Sequence, residues 1–380
     1  MKLLYISNIA GETAVSSFSK ANVIAAKKLG IEFHLAENFD MTIEKARRND
    51  EEKYGIKTHH IDFVRTPYDL RNIVAFKQVV KVIKEERIDV IHCNTPIGGL
   101  IGRLAGKKCK VNNVIYQAHG FHFYSGAPTV NWLLYYTIER WLARFTDTLI
   151  TINHEDYERA QRFRLRNHGK VYYVPGVGID TSQFEPGGFQ RNKKREELGL
   201  KDEDIMVISA GDLIERKNYK TSIEAIAKAK NTKLQYYICG NGPLQSKLEK
   251  LANELGVEKQ IHFLGFRTDV KELLWAADIF LFTTYQEGLP RSLSEAMAAG
   301  LPCVASSIRG NTDLIDNGIG GRLYDSRDVN GFADGINELA GDSELRKRMR
   351  EGNLLKIKSF DTLTVIQEIK NIYEAVKHSS

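Results

Sequence analysis

Residues 278–307, DIFLFTTYQEGLPRSLSEAMAAGLPCVASS, decide the fold. The stretch opens on an apolar run, DIFLFTT, rich in the aromatic and branched residues of a strand buried on both faces. It closes on a second such run, PCVASS. Between them Leu293, Ala296 and Met297 recur at i, i+3 and i+4, which is one face of a helix. Pro290 is expected at the first helical position, where its missing N–H costs nothing, and Gly300 at the stop. Strand, helix and strand in this order make a β-α-β unit, which calls for parallel strands.

The same rhythm extends in both directions. Upstream, DIMVISAGD (204–212), KLQYYICGNG (233–242) and QIHFLG (260–265) read as strands, with helices at 221–230, 244–256 and 268–277. The first half repeats the pattern: KLLYISNI (2–9), IEFHLAEN (31–38), DVIHCN (89–94), VIYQAHG (114–120), TDTLITIN (146–153) and KVYYVP (170–175) are strand candidates. Amphipathic helices fall at 16–30 and 73–87. The fold class expected is α/β, with two doubly wound, Rossmann-like domains of mainly parallel strands facing a cleft. The segment 174–197, rich in Gly, Pro and charge, separates residues 1–180 from 186–358. A last helical stretch, from about Leu363 to Lys377, either closes the second domain or returns to the first; periodicity leaves both open.

Composition narrows the class of protein. At 380 residues, 42% hydrophobic and 27% charged, the chain is that of an ordinary globular protein large enough for two cores. No apolar run approaches the roughly 18 residues needed to span a bilayer. MKLLYISNIAG reads as a first strand rather than a signal peptide. Cys93, Cys109, Cys239 and Cys303 are scattered with no CxxC pair, so neither a disulfide framework nor a zinc site is expected, and a reducing cytoplasm fits. The net charge of +6 is concentrated at 103–110, 159–170 and 191–197. Such clusters suit phosphates or an anionic membrane surface, or form a solvated face. No nucleic-acid module is present, and no nucleic-acid partner is expected.

Ligands of open α/β sheets sit beyond the carboxyl ends of strands, so residues just after strands carry the chemistry. Glu287 and Glu295 bracket a helix start whose backbone N–H groups near Gly288 and Leu289 lack intrahelical partners, an anion site. Glu295 lies roughly 7–8 Å along the helix axis from Pro290, so the two carboxylates can flank a bound anion, or be a loop charge and a solvated helix charge. In SAGDLIERKN (209–218), Arg216 and Lys217 are cations for a phosphate or an exposed basic pair. Gly240 and Gly242 allow close backbone approach or make a turn. Phe266 and Arg267, after HFLG, stand where a base edge would be read, though Phe266 equally suits the core. His119 ends a strand in QAHGFHF, placed to donate a hydrogen bond to a ligand hydroxyl or leaving oxygen, or is structural.

Taken together, these blocks resemble the family-four retaining glycosyltransferases of the GT-B fold. EGLPRSLSE is similar to their E-x7-E signature, GDLIERKN to their phosphate loop, ICGNGP to their glycine turn and HFLGF to their base-reading loop. HCNTPIGG and QAHGFHFYSGAPTVNWLLYYTIERWLARFTDTLITINHEDYERA resemble the bacterial capsular and exopolysaccharide branch. The resemblance implies a UDP-sugar donor, with Lys217 and Arg216 on its diphosphate, Glu295 on the ribose and Glu287 on the sugar. It implies His119 on the donor sugar from the first domain, and residues 360–380 crossing back to that domain. No cofactor or obligatory metal is expected, and no DxD pair stands out. The acceptor implied is a polyprenyl-diphosphate-linked saccharide, reached by a cytoplasmic protein peripheral to the inner membrane face. Two departures from the pattern stand out: Asp212 replaces an arginine common in the phosphate loop, and SFSKAN (17–22) replaces a histidine-containing segment. A UDP-sugar 2-epimerase and a non-catalytic nucleotide-sugar binder are the alternatives. An NAD-dependent oxidoreductase is disfavoured, because the first strand leads into AGETAVSS rather than GxGxxG.

Overall fold

The protein is described from a computed structural model, which covers residues 1–379. The chain forms two compact units, residues 1–178 with the chain from Thr362 onward, and Ile179–Asp361.

In the first unit seven parallel strands form one sheet: β1 (Lys2–Ile9), β2 (Glu32–Asn38), β3 (Lys57–His60), β4 (Val90–Asn94), β5 (Asn113–Ala118), β6 (Thr148–Thr151) and β7 (Lys170–Tyr173). Their order is β3-β2-β1-β4-β5-β6-β7, so the winding reverses between β1 and β4. β4, β5 and β6 are buried along their whole length, as strands covered on both faces must be. Helices Arg71–Glu86 and Pro96–Cys109 cover one face through Ala75, Val79, Ile83, Ile97, Ile101 and Ala105. Helix Lys20–Lys28 and the last helix, Thr362–Ser379, cover the other. Ile366, Ile369 and Tyr373 of the last helix are buried there, and the Tyr373 hydroxyl meets His92 Nδ1 of β4 at 2.8 Å. The last helix thus belongs to the first unit.

The second unit holds six parallel strands: β8 (Ile205–Ala210), β9 (Leu234–Cys239), β10 (Ile261–Gly265), β11 (Ile279–Phe282), β12 (Cys303–Ser306) and β13 (Gly321–Tyr324), in the order β10-β9-β8-β11-β12-β13. The reversal falls between β8 and β11, which pair through Val207 with Ile279 and Ile208 with Phe280. The stretch at 278–307 is β11, helix Arg291–Ala298 and β12, and Leu293, Ala296 and Met297 are fully buried. The helix closes as expected on Gly300, whose φ of 79° is left-handed. Leu301 N–H reaches Ala296 O and Gly300 N–H reaches Met297 O, both at 2.9 Å, the paired bonds of a Schellman stop.

Candidate active site

β8 and β11 lie side by side at the winding reversal, so the segments leaving them are held together. Asn218, in the left-handed region at φ 53°, donates from Nδ2 to Thr283 O at 2.9 Å and to Ser326 O at 2.8 Å. Thr284 Oγ1 lies 3.0 Å from both Arg216 O and Glu287 Oε1, so its one proton can go to either. On this frame Glu287 Oε1 accepts from Arg216 Nη1 at 2.7 Å and Lys217 Nζ at 2.8 Å. Glu287 and Lys217 are 10% and 12% exposed and Arg216 41%, so water screens the lysine pair least. Two cations thus share one carboxylate oxygen at the strand ends.

Helix Arg291–Ala298 begins beside this cluster. Pro290 is not its first helical residue: its ψ of 123° is extended, and its carbonyl accepts the opening helix bond from Ser294 N–H at 3.2 Å. Pro290 therefore occupies the capping position, where it has no side-chain oxygen to give. The N–H groups of the first turn stay without a side-chain cap, and the helix dipole is positive at this end. Arg309 Nε donates to Glu287 O at 3.0 Å, and a Cβ at Gly310 would lie 2.4 Å from Gly288 O. The 309–310 turn thus braces Gly288 and Leu289 from behind. Glu295 is separate from the Glu287 cluster: its Oε1 accepts from Arg291 Nε at 2.7 Å, one helical turn back.

The glycines after β9 serve the chain rather than open space. A Cβ on Gly240 would lie 2.0 Å from Gly211 O, and one on Gly242 would lie 2.4 Å from Leu213 O. Leu213 N–H donates to Asn241 O at 2.9 Å. These two glycines seat the loop that carries Lys217. Phe266 is 77% exposed and so is not core, while Arg267 is held by Asp269 through bonds of 2.7 and 2.6 Å.

His119 belongs to the first unit. Its Nε2 meets Asn94 Oδ1 at 3.1 Å, at the end of β4. Burial pushes the imidazole down to about 4, so the neutral ring is favoured. With Nε2–H given to Asn94, the buried Nδ1 has no partner among the described residues and is an acceptor. In this tautomer Nδ1 is able to accept a hydrogen bond but not to donate one, whereas the sequence reading has His119 as a donor. The ring lines a cavity of about 690 Å³ at the carboxyl ends of β1, β4 and β5. Ser7, Asn8, Asn94 and Thr95 form its polar end, and Leu100, Tyr116, Phe121 and Ile138 its apolar wall.

Comparison with known proteins identifies the family. Residues 190–354 match the family described as glycosyl transferases group 1, and residues 4–153 match glycosyl transferase 4-like. EpsD of Bacillus subtilis (strain 168), named as a glycosyltransferase, is 36% identical over 92% of this chain and 90% of its own. The chain belongs to the family-four glycosyltransferases. A UDP-Gal:alpha-D-GlcNAc-diphosphoundecaprenol alpha-1,3-galactosyltransferase of Escherichia coli is 27% identical over 80% of this chain and 79% of its own. The structure of Anabaena HepE with UDP-glucose superposes at a TM-score of 0.77, with 21% identity, 99% of this chain and all of that one covered. The glycosyltransferase thus has the GT-B fold.

Sequence reasoning passed over Thr284, Arg309, Gly310 and Asn218 of this glycosyltransferase. Thr284 and Gly310 do follow strands, which is the one signal that marks them. Part of each basic cluster is internal, while Lys107, Lys108, Lys110, Arg162, Arg164, Lys170 and Lys193 are exposed. Arg103 is buried against Glu139 and Tyr116, Arg166 pairs with Asp147, and Arg191 and Arg195 both pair with Asp278.

Proposed function

We propose that this glycosyltransferase moves a hexose or N-acetylhexosamine from a UDP-sugar to a lipid-linked saccharide, with retention at the anomeric carbon, during capsular or exopolysaccharide assembly. The observation that carries the reading is Glu287 gripped by Lys217 and Arg216 beside an uncapped helix start. A departing UDP develops negative charge on its diphosphate, and cations already fixed in place stabilise it without reorganising. Lys217, supported by Arg216, binds that diphosphate. Glu287 accepts from donor-sugar hydroxyls and Glu295 from the ribose, while Gly288 and Leu289 offer backbone N–H groups. Gly240 and Gly242 shape the phosphate loop. The exposed Phe266 ring and Arg267 border the base, and His119 accepts from a sugar hydroxyl. The acceptor attacks from the leaving-group face, and a phosphate oxygen takes its proton.

Support for a lipid-linked acceptor comes from the E. coli relative's name and from the first unit's cavity, polar at the strand ends and apolar along its wall. The helical run 129–142 beside it exposes Val130, Leu133, Ile138 and Trp141 to solvent. Arg140 and Arg144 on or just after that run have no ion pair among the described residues. No helix among them is long and apolar enough to cross a membrane. The proposed place of work is the cytoplasmic face of an anionic membrane, met by this apolar and basic surface.

The test is UDP release screened over UDP-hexoses and UDP-N-acetylhexosamines with polyprenyl-diphosphate-linked acceptors, with the product's anomeric configuration read by NMR. Acceptor-dependent UDP release with retention supports the proposal. Conversion of a donor with no acceptor would make the protein an epimerase. Binding of UDP-sugar with no release under any acceptor would make it a sensor.

A further inference from the structure

We propose a divalent transition-metal site on the outer edge of the first sheet, formed by His34, His59 and Glu86. β2 and β3 are parallel, and Ala36 pairs with His59. Alternation along the strands then places Glu32, His34, Lys57 and His59 on one face. The carboxyl end of helix Arg71–Glu86 brings Glu86 to that face. His34 Nδ1 lies 2.9 Å from His59 Nε2 and 4.0 Å from Glu86 Oε2. One atom from each of the three residues falls within a mutual 4.8 Å.

The surroundings select a lone pair for the ligand position. Fully buried His34 gives its other nitrogen, Nε2, to Glu32 Oε1 at 3.1 Å. That bond holds the proton on Nε2 and leaves Nδ1 with its lone pair directed at His59 and Glu86. A carboxylate behind a histidine in this way is the usual support for a metal-binding imidazole. Lys57 is the competing cation: its ammonium lies 2.8 Å from Glu32 and 3.5 Å from Glu86, and it is half exposed and free to swing out. Two imidazoles and one carboxylate select zinc, cobalt or nickel over the all-oxygen cations magnesium and calcium. Three protein ligands leave a fourth position for water. Bound there, the ion ties β2, β3 and the helix end together.

This site also accounts for an otherwise weak element. β3 is the four-residue strand KTHH at the sheet edge, with no buried residue. Such a strand has little apolar packing of its own, and a metal bridge from His59 would hold it.

The test is titration of the chelator-treated full chain with zinc chloride, followed by calorimetry, and with cobalt chloride, followed by its visible absorption. The wild type should bind one ion per chain, and its melting temperature should rise with zinc. His59→Ala and Glu86→Gln, both only partly buried, should each abolish that single site while circular dichroism stays unchanged. Glu32→Gln should weaken zinc roughly 10–100-fold, as second-sphere losses do. Magnesium should give no shift. No saturable zinc binding in the wild type, or equal binding in wild type and His59→Ala, would overturn the proposal. None of these readouts depends on sugar transfer, so they stand or fall apart from the proposed reaction.

Discussion

Replacing Lys217 with methionine keeps the aliphatic stem over the Phe282 ring and deletes one charge. The ammonium lies 5.0 Å from that ring centre and 2.8 Å from Glu287 Oε1. The fold should tolerate the change, because Arg216 Nη1 at 2.7 Å and Thr284 Oγ1 at 3.0 Å remain within reach of the same oxygen. The stability loss should stay within the roughly 1.5–3 kcal/mol of one charge-assisted bond. Catalysis should suffer more. A fixed donor aimed at developing charge in a water-poor site is worth about 10²–10³ in kcat, or about 2.7–4 kcal/mol. On the proposed mechanism Lys217, 12% exposed, would be that kind of donor, whereas Arg216 at 41% is screened and its loss to glutamine should cost roughly tenfold. The assay is steady-state UDP release at saturating acceptor, with kcat and KM separated and urea melts run in parallel. Lys217→Met should lower kcat far more than it raises KM. The double variant should fall short of the summed losses, because both cations share Glu287 Oε1. Near-normal kcat in a folded Lys217→Met protein would refute the reasoning.

Three further outcomes are expected. Gly240→Ala drives a methyl into Gly211 O and requires alanine at φ 151°, so urea denaturation should show a loss of several kcal/mol, the scale of backbone strain plus overpacking; a loss under about 1 kcal/mol would show that the loop yields. His119 is neutral when folded, with its imidazole lowered from 6.5 to about 4, so its contribution is complete above pH 6.5 and is lost as acid approaches pH 4. That loss amounts to roughly 3 kcal/mol by linkage, and His119→Gln should flatten this part of the stability curve; an unchanged slope counts against a buried neutral imidazole. Leu133→Ser and Trp141→Ser, 71% and 44% exposed, should weaken sedimentation with anionic vesicles and leave the melting temperature within a few degrees; equal sedimentation would remove this surface from the membrane proposal.

The central strands were legible because burial on both faces forces an unbroken apolar run, and IMVIS, LQYYIC and DIFLF are such runs. Elements at the edges were not. β3 reads KTHH, and helix Glu44–Tyr54 buries no residue, so neither carries the apolar period on which sequence reading depends. Helix Pro96–Cys109 was hidden by four glycines, which look like a loop. The structure shows why they stand there: a Cβ on Gly99 would meet Tyr116 at 2.4 Å and one on Gly102 would meet Cys93 at 2.6 Å, so this helix packs unusually close to its sheet. Tertiary approach, which has no local signature, overrode helix propensity.

The same division runs through the candidate site. Lys217 and Glu287 were nameable because charges after strands are conspicuous. Their mutual bond was not, since it depends on β8 and β11 being neighbours at the winding reversal, seventy positions apart in sequence. That bond changes the meaning of the glutamate. A lysine and an arginine pointed at one locus repel each other and would spread apart in water, and Glu287 offsets that repulsion and holds both before any diphosphate arrives. On the proposed function, an incoming diphosphate would meet cations whose ordering entropy is already spent, which is the condition for electrostatic preorganisation. Glu287→Gln separates this function from simple sugar contact. The amide oxygen still accepts a hydroxyl, but the two cations lose their counter-charge. If Glu287 only touched sugar, KM for the donor should rise with kcat little changed. If it also fixes the cations, kcat should fall as well, and UDP alone, which carries the diphosphate without the sugar, should bind with altered affinity. Calorimetry with UDP on the folded variant decides between them, and unchanged UDP affinity would leave Glu287 as a sugar contact only.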